Sequence, residues 1–214
     1  RSHHDIMLPH IPLTTTYIDL SGTPLGDVRN IVAVSCMGNP LELWDIDSLD
    51  DTNPLAVLDE KGEHVLGKKR EFLEKYDDNA SILSVGWNSL QKNILCTGGA
   101  DHTVKFWDLS TMKMEMKLTH HTGKVQVCSW NPTDAAILVT GGFAEGSNPA
   151  SMVVLDARQR TTVGAWCCPA DMNEFQWNTD GRLFLTGFDN GLVELRDMRN
   201  LKSPIWSLSA HTKS

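Results

Sequence analysis

The 214-residue sequence predicts an all-β fold of small four-stranded sheets, repeated along the chain and stacked side by side. Three registers of internal similarity lead there. Ser84-Val85-Gly86-Trp87-Asn88, Val127-Cys128-Ser129-Trp130-Asn131 and Glu174-Phe175-Gln176-Trp177-Asn178 align, with their tryptophans 43 and 47 residues apart. Each is followed by a short apolar strand ending in Thr-Gly: Leu95 to Gly99, Leu138 to Gly142 and Phe184 to Gly187. A third register closes each unit on an aspartate: Val104-Lys105-Phe106-Trp107-Asp108, Val153-Val154-Leu155-Asp156 and Val193-Glu194-Leu195-Arg196-Asp197. An earlier copy, Leu41-Glu42-Leu43-Trp44-Asp45, follows Ile31-Val32-Ala33-Val34. These segments are short, rich in β-branched and aromatic residues, and bounded by Gly, Asn, Asp or Pro, the signature of strands joined by turns.

Four strands per unit, closed by Trp-Asp on the third, resemble the WD-repeat β-propeller. A lone four-stranded blade cannot bury both faces, so neighbouring blades share a core. The first blade is expected over residues 11–58, with strands near Pro12–Ile18, Asn30–Val34, Leu41–Asp45 and Leu55–Leu58. A charged insert, 59–80, has no strand pattern; Phe72, Leu73 and Tyr76 mark one face of a short helix there. Blades two to four are expected over 81–118, 124–167 and 172–208, and residues 209–214, with His211, open a further one. Four blades is the lower limit for a propeller, so the ring is expected to be incomplete within these residues.

The usual WD blade carries a buried relay of His, Ser/Thr, Asp and Trp. Here no blade has the full set. Blade two has Thr97, Asp101 and Trp107 but no His before it. Blade three has His121 and Thr140, with Leu155 at the Trp place and no Asp in the turn. Blade four has Thr186 and Asp189, with Arg196 at the Trp place. Each bond of a relay adds about 1 kcal/mol net, so these blades are expected to lean more on packing. Trp44, Asp45, Trp87, Thr97, Asp101, Trp107, Asp108, His121, Trp130, Thr140, Asp156, Trp177, Thr186, Asp189, Asp197 and His211 form the structural repeat.

Beyond the superfamily, His3-His4-Asp5-Ile6-Met7-Leu8-Pro9, the first-blade segment through Leu43-Trp44-Asp45-Ile46-Asp47, the charged insert and the turn His121-Thr122-Gly123-Lys124-Val125-Gln126 continue a pattern. In that order they resemble the periodic tryptophan protein family of eukaryotic WD-repeat proteins, from His3 to His211. The resemblance implies a nuclear and nucleolar factor for making the large ribosomal subunit, acting in rRNA processing through ribosomal proteins or assembly factors. It also implies links to histones and ribosomal-DNA chromatin, so a histone-tail reader is the alternative function.

Composition narrows the remaining classes. A formal charge of −8 argues against broad phosphate tracking, and direct nucleic-acid binding by this region is not expected. No apolar run approaches the roughly 18 residues that span a bilayer. Five cysteines without disulfide-like spacing read as reduced, mostly buried thiols of an intracellular protein. His3-His4, His120-His121 and Cys167-Cys168 lack zinc spacing, and adjacent strand residues point to opposite faces, so no metal is expected. No nucleophile elbow, phosphate loop or His-Glu-x-x-His is present, so neither an enzyme nor a cofactor or small-molecule substrate is expected. Asp156-Ala157-Arg158 and Asp197-Met198-Arg199 resemble the Asp-x-Arg motif by which substrate receptors dock on cullin-type ubiquitin ligases; the alternative is a local salt bridge at a strand end.

The expected partner-binding face is built from turns between second and third strands and between blades. It carries Met37, Asp77, Asp78, Asp101, His102, Phe143, Glu145, Asp171, Phe188 and Asp189. Phe143 and Phe188 read as matching turn residues of neighbouring blades: either exposed anchors beside acids, or aromatics folded over their own blades.

Overall fold

In a computed structural model the chain is described at residues 8, 10–21, 30–38, 40–48, 53–59, 79, 81–145, 147 and 151–211. Among the described residues, sixteen strands form four sheets. The first sheet is β1 (Pro12–Asp19), β2 (Asn30–Cys36), β3 (Leu41–Asp45) and β4 (Ala56–Leu58). The second is β5 (Ile82–Trp87), β6 (Ile94–Gly99), β7 (Val104–Asp108) and β8 (Lys113–Leu118). The third is β9 (Val125–Trp130), β10 (Ile137–Gly142), β11 (Ser151–Asp156) and β12 (Thr161–Cys167). The fourth is β13 (Met172–Trp177), β14 (Leu183–Phe188), β15 (Leu192–Asp197) and β16 (Trp206–Ser209). Within each sheet, strands pair antiparallel in chain order, because every connection is short enough for a hairpin. The helix expected at Phe72–Tyr76 lies outside the described residues.

The sheets stack as blades of a propeller, with β1 against β5, β5 against β9 and β9 against β13. Apolar burial sits between blades. Ile31, Ala33, Leu41 and Leu43 of blade one meet Ile82, Leu95 and Trp107 of blade two. Cys96, Val104 and Phe106 of blade two meet Val125, Trp130 and Leu138 of blade three. Val139, Met152 and Val154 of blade three meet Met172, Trp177 and Phe184 of blade four. Outer strands β8 and β12 mix exposed and half-buried residues and β16 is exposed throughout, whereas β4 of blade one buries Ala56 and Leu58.

The Thr-Gly register has a packing cause. Gly98 and Gly141 are the penultimate residues of β6 and β10. A Cβ on Gly98 would come within 2.6 Å of Val125 Cγ1 and 2.9 Å of its carbonyl oxygen, so any side chain there would push blade three away.

Candidate functional site

One rim of the propeller is defined by a bond repeated in every blade. The amides of Met37, Ala100, Phe143 and Asp189 donate to the carbonyls of Ile11, Ser81, Lys124 and Asp171, closing the end of each inner strand. Each blade has a register shift at this end, between Pro12 and Thr14, Ile82 and Ser84, Gly141 and Gly142, and Met172 and Glu174. Side chains stitch neighbouring turns together. Ser81 Oγ accepts from Gly38 N at 2.9 Å, His102 Nε2 lies 3.0 Å from Glu145 Oε2, and Asp171 Oδ1 accepts from Ala144 N at 2.7 Å.

This rim brings together Met37, Asp101, His102, Phe143, Glu145, Asp171 and Asp189. Asp77 and Asp78 lie outside the described residues. His102 is held at φ 64°, the left-handed turn position that aims it at Glu145. Phe143 is half-buried. Phe188 does not belong to the rim: it is 5% exposed and packs in the core between blades three and four. Phe143 follows Thr140 by three residues and Phe188 follows Thr186 by two. A one-residue offset turns a strand side chain to the opposite face, so the register partner of Phe143 is Asp189.

Nor is the rim a free acidic surface. Asp101 Oδ2 accepts from Lys105 Nζ at 2.7 Å, and Lys117 Nζ stands 3.7 Å away. Burial alone would raise the Asp101 carboxyl pKa, but bonds from Lys105 and Thr103 outweigh it and hold the group below its usual range. Lys105 thus stands in for the histidine missing from blade two.

Each blade solves the broken relay differently. In blade two, Trp107 Nε1 donates to Thr97 Oγ1 at 3.0 Å. In blade one the register partner of Thr97 is Val34, which accepts nothing, and Trp44 Nε1 donates instead to Glu42 Oε2 at 3.1 Å. In blade three Leu155 has no donor, and two imidazoles fill the gap. His121 Nε2 and His120 Nε2 lie 2.8 and 3.1 Å from Thr140 Oγ1, and Ser151 Oγ is 3.4 Å from His121 Nδ1. Burial, then the neighbouring His120, pushes His121 down to about 3, so its ring is neutral at pH 7. In blade four Arg196 occupies the Trp place. Its guanidinium bonds Glu194 Oε2 at 2.8 Å and the Leu201 carbonyl at 2.7 Å, and leaves Thr186 Oγ1 buried without a partner among the described residues. The relay aspartate expected at Asp189 is displaced by one: Asn190 Oδ1 accepts from Leu192 N as Asp101 Oδ1 accepts from Thr103 N.

The recurring aspartates have a local role. Asp45, Asp108, Asp156 and Asp197 each accept the amide two residues on, at 2.8–2.9 Å. Arg158 lies against Asp156 and Asp134 at 3.5 and 3.6 Å, while Asp197 is held by Arg182 at 2.7 Å. Among the described residues no three His, Cys, Asp or Glu side chains gather as a metal site.

The residues that sequence reasoning left without a role are the asparagines after the repeat tryptophans. Asn88 Nδ2 donates to the Ala135 carbonyl of blade three at 2.7 Å, and Asn131 Nδ2 to the Gly181 carbonyl of blade four at 2.6 Å. Gly181 has φ +66°, and a Cβ there would sit 2.5 Å from Asn131 Oδ1. The tryptophans reach the other way. Trp130 Nε1 donates to the Gly86 carbonyl at 3.1 Å and Trp177 Nε1 to Ser129 at 3.4 Å, while Trp87 bonds locally to Lys92. The Trp-Asn pair of blade three is therefore a clasp: indole back, amide forward. Its signal was the Asn that follows Trp87, Trp130 and Trp177.

A family model described as eukaryotic translation initiation factor eIF2A matches residues 59–194. Periodic tryptophan protein 1 of Saccharomyces cerevisiae is 26% identical over 98% of this chain, and its Drosophila melanogaster homolog 26% over 99%. The chain belongs to the family of that eIF2A model and is similar to the periodic tryptophan proteins over nearly its whole length. A WD repeat-containing protein of Schizosaccharomyces pombe is 31% identical over 98% of the chain. The chain spans 38%, 45% and 40% of the lengths of these three relatives. A chain in the crystal structure of the mitotic checkpoint complex superposes with TM-score 0.63 at 21% identity, covering 85% of this chain and 49% of that one, a likeness of fold.

Proposed function

We propose that this chain is a non-enzymatic scaffold that holds other proteins during assembly of the large ribosomal subunit and rRNA processing, in the nucleus and nucleolus. The observation that carries the scaffold reading is the stitched rim. Neighbouring turns are tied by Gly38–Ser81, His102–Glu145 and Ala144–Asp171, which presents Met37, His102, Phe143 and Glu145 on a preorganised surface. A rigid rim with one half-buried aromatic suits a protein partner. The ribosomal reading rests on the family resemblance and on the charge of −8, which favours basic partners such as ribosomal proteins.

Affinity purification of the full-length protein from cells, with mass spectrometry and RNA sequencing of what accompanies it, tests this. Large-subunit precursor particles are expected, and their recovery should fall with Phe143→Ala. Recovery of histones without pre-ribosomal RNA would replace this reading with a chromatin one. A ubiquitin-ligase adaptor lost on Arg158→Ala with Arg199→Ala would replace it with a substrate-receptor one.

A further inference from the structure

The outer strand of a blade ends its sheet, and a strand edge with unpaired N–H and C=O groups is a template for another strand unless it is blunted. Among the described residues three of the four such edges are guarded. β4 is three residues long and buries Ala56 and Leu58, and β16 is four residues long and follows Pro204 by two positions. β8 sets Lys113, Glu115 and Lys117 along its exposed positions. β12 has none of these devices. Its seven residues, Thr161 to Cys167, include no charge and no proline, and among the described residues they pair with β11 alone. A bulge leaves Val163 without a partner in β11, and its side chain stands 59% exposed. Ala165 and Cys167 continue the exposed row, while Gly164 and Trp166 face blade four.

Charge around this edge has one sign. Residues 157–170 and 198–209 hold Arg158, Arg160, Arg199 and Lys202 and no Asp or Glu, in a chain of formal charge −8. The fold brings the two segments together. Buried Arg196 lies over the Trp166 ring at 5.3 Å and donates to the Leu201 carbonyl at 2.7 Å, and Leu201 fills the space that a Cβ on Gly164 would take. The turn with Arg199 and Lys202 therefore leans on β12. The carboxylates at this corner are engaged: Asp156 accepts the amides of Arg158 and Gln159, and Asp197 is held by Arg182. All four cations are exposed. Arg160 takes at φ 55° the left-handed turn position that Met112 takes in blade two, but Met112 is buried in the core and Arg160 is not, so packing gives no reason for it.

We propose that β12 is a docking edge for an extended segment of another protein, one that adds a fifth strand to the sheet of blade three and is acidic at the end beside Arg158 and Arg160. Main-chain bonds to the open edge supply affinity, and the row of Val163, Ala165 and Cys167 admits small uncharged side chains. Carboxylates on the guanidiniums fix the direction of the added strand. In the antiparallel sense that the rest of the sheet uses, the acidic end is the C-terminal one, because Arg158 and Arg160 stand where β12 begins. This edge is a second surface, apart from the acidic rim, and takes a partner of opposite charge to the one the rim favours.

The probe is an alternating valine-threonine peptide with a C-terminal run of glutamates, added to the full-length protein and followed by fluorescence anisotropy and by amide hydrogen exchange of residues 161–167. Binding is expected to slow exchange of those amides. Replacing the glutamates with lysines, or methylating the peptide nitrogens that face β12, should weaken binding at least about tenfold. Arg160→Glu with Lys202→Glu should weaken it by a similar factor and leave the melting temperature unchanged, because both side chains are exposed. Failure of the peptide to bind, equal binding of the methylated peptide, or binding that leaves exchange of 161–167 untouched would each overturn the proposal. Slowed exchange that grows with protein concentration in the absence of peptide would assign the edge to a second copy. Tighter binding of polyuridylate, displacing the peptide, would assign the cations to RNA. Either result overturns the proposal too.

Discussion

Acidifying the medium from about pH 7 to about pH 5.5 is expected to loosen the third blade through His121. Its imidazole is buried with His120 stacked at a ring distance of 4.3 Å, and both rings point at the Thr140 hydroxyl. That hydroxyl can donate to one ring while accepting from the other, and protonating both would set two cations side by side in a buried site. Burial carries the His121 pKa from 6.5 down to about 3, while in the unfolded chain it stays near 6.5. The unfolded state therefore binds more protons as pH falls, and stability is lost across the window from about 6.5 to about 3. Worked as linkage, the loss between about pH 7 and about pH 5.5 is about 1.2 kcal/mol from His121 alone. The His120 pKa is lowered by the same cause and adds to the loss. Depressed carboxylates such as Asp101 and Asp108 keep their stabilising effect until the pH approaches their unfolded pKa near 3.8, below the two pH values compared. Urea melts at the two pH values measure the effect, with His121→Asn as the control that removes the titrating ring. The reasoning fails if wild type shows no loss, or if the substitution leaves the acid dependence intact.

Other substitutions separate the four blades. Thr97→Val strands the Trp107 indole N–H and should cost about 1–3 kcal/mol, whereas Thr186→Val removes a hydroxyl that has no partner among the described residues and should be neutral or stabilising in the same thermal melt. Arg196→Met leaves the buried Glu194 carboxylate without its cation and should cost about 3–5 kcal/mol, most of it recovered when Glu194 is also made Leu. Phe188→Ala opens a core cavity and should cost about 3–5 kcal/mol by denaturant titration. Phe143→Ala should cost less than about 1 kcal/mol while reducing partner capture.

The fold was legible because its signal is long-range and repeated. Trp87, Trp130 and Trp177 recur at blade spacing, and no helical pattern competes with alternation this short. The site was legible only in part. Turn positions follow from the Thr-Gly register, but a one-residue count decides which face a side chain takes: Phe188 fell on the wrong side of it, and the relay place given to Asp189 belongs to Asn190. How each blade replaces a missing relay member was not readable, because the substitutes stand at positions the relay pattern does not use: Glu42 two residues before Trp44, Lys105 for an absent histidine, His120 beside His121. Asn88 and Asn131 stood in plain view, yet their partners Ala135 and Gly181 lie in the next blade, 47 and 50 residues away, and only the stacked structure brings them together.

Stacking of tryptophan-marked sheets through inter-blade indole bonds is most directly tested by hydrogen exchange of the seven indole N–H groups, read by NMR. The indole protons of Trp107 and Trp130, bonded to Thr97 and to the Gly86 carbonyl, should exchange only with global opening, while that of Trp206 should exchange freely. Exchange of Trp130 as fast as Trp206 would mean that blades two and three do not meet as described.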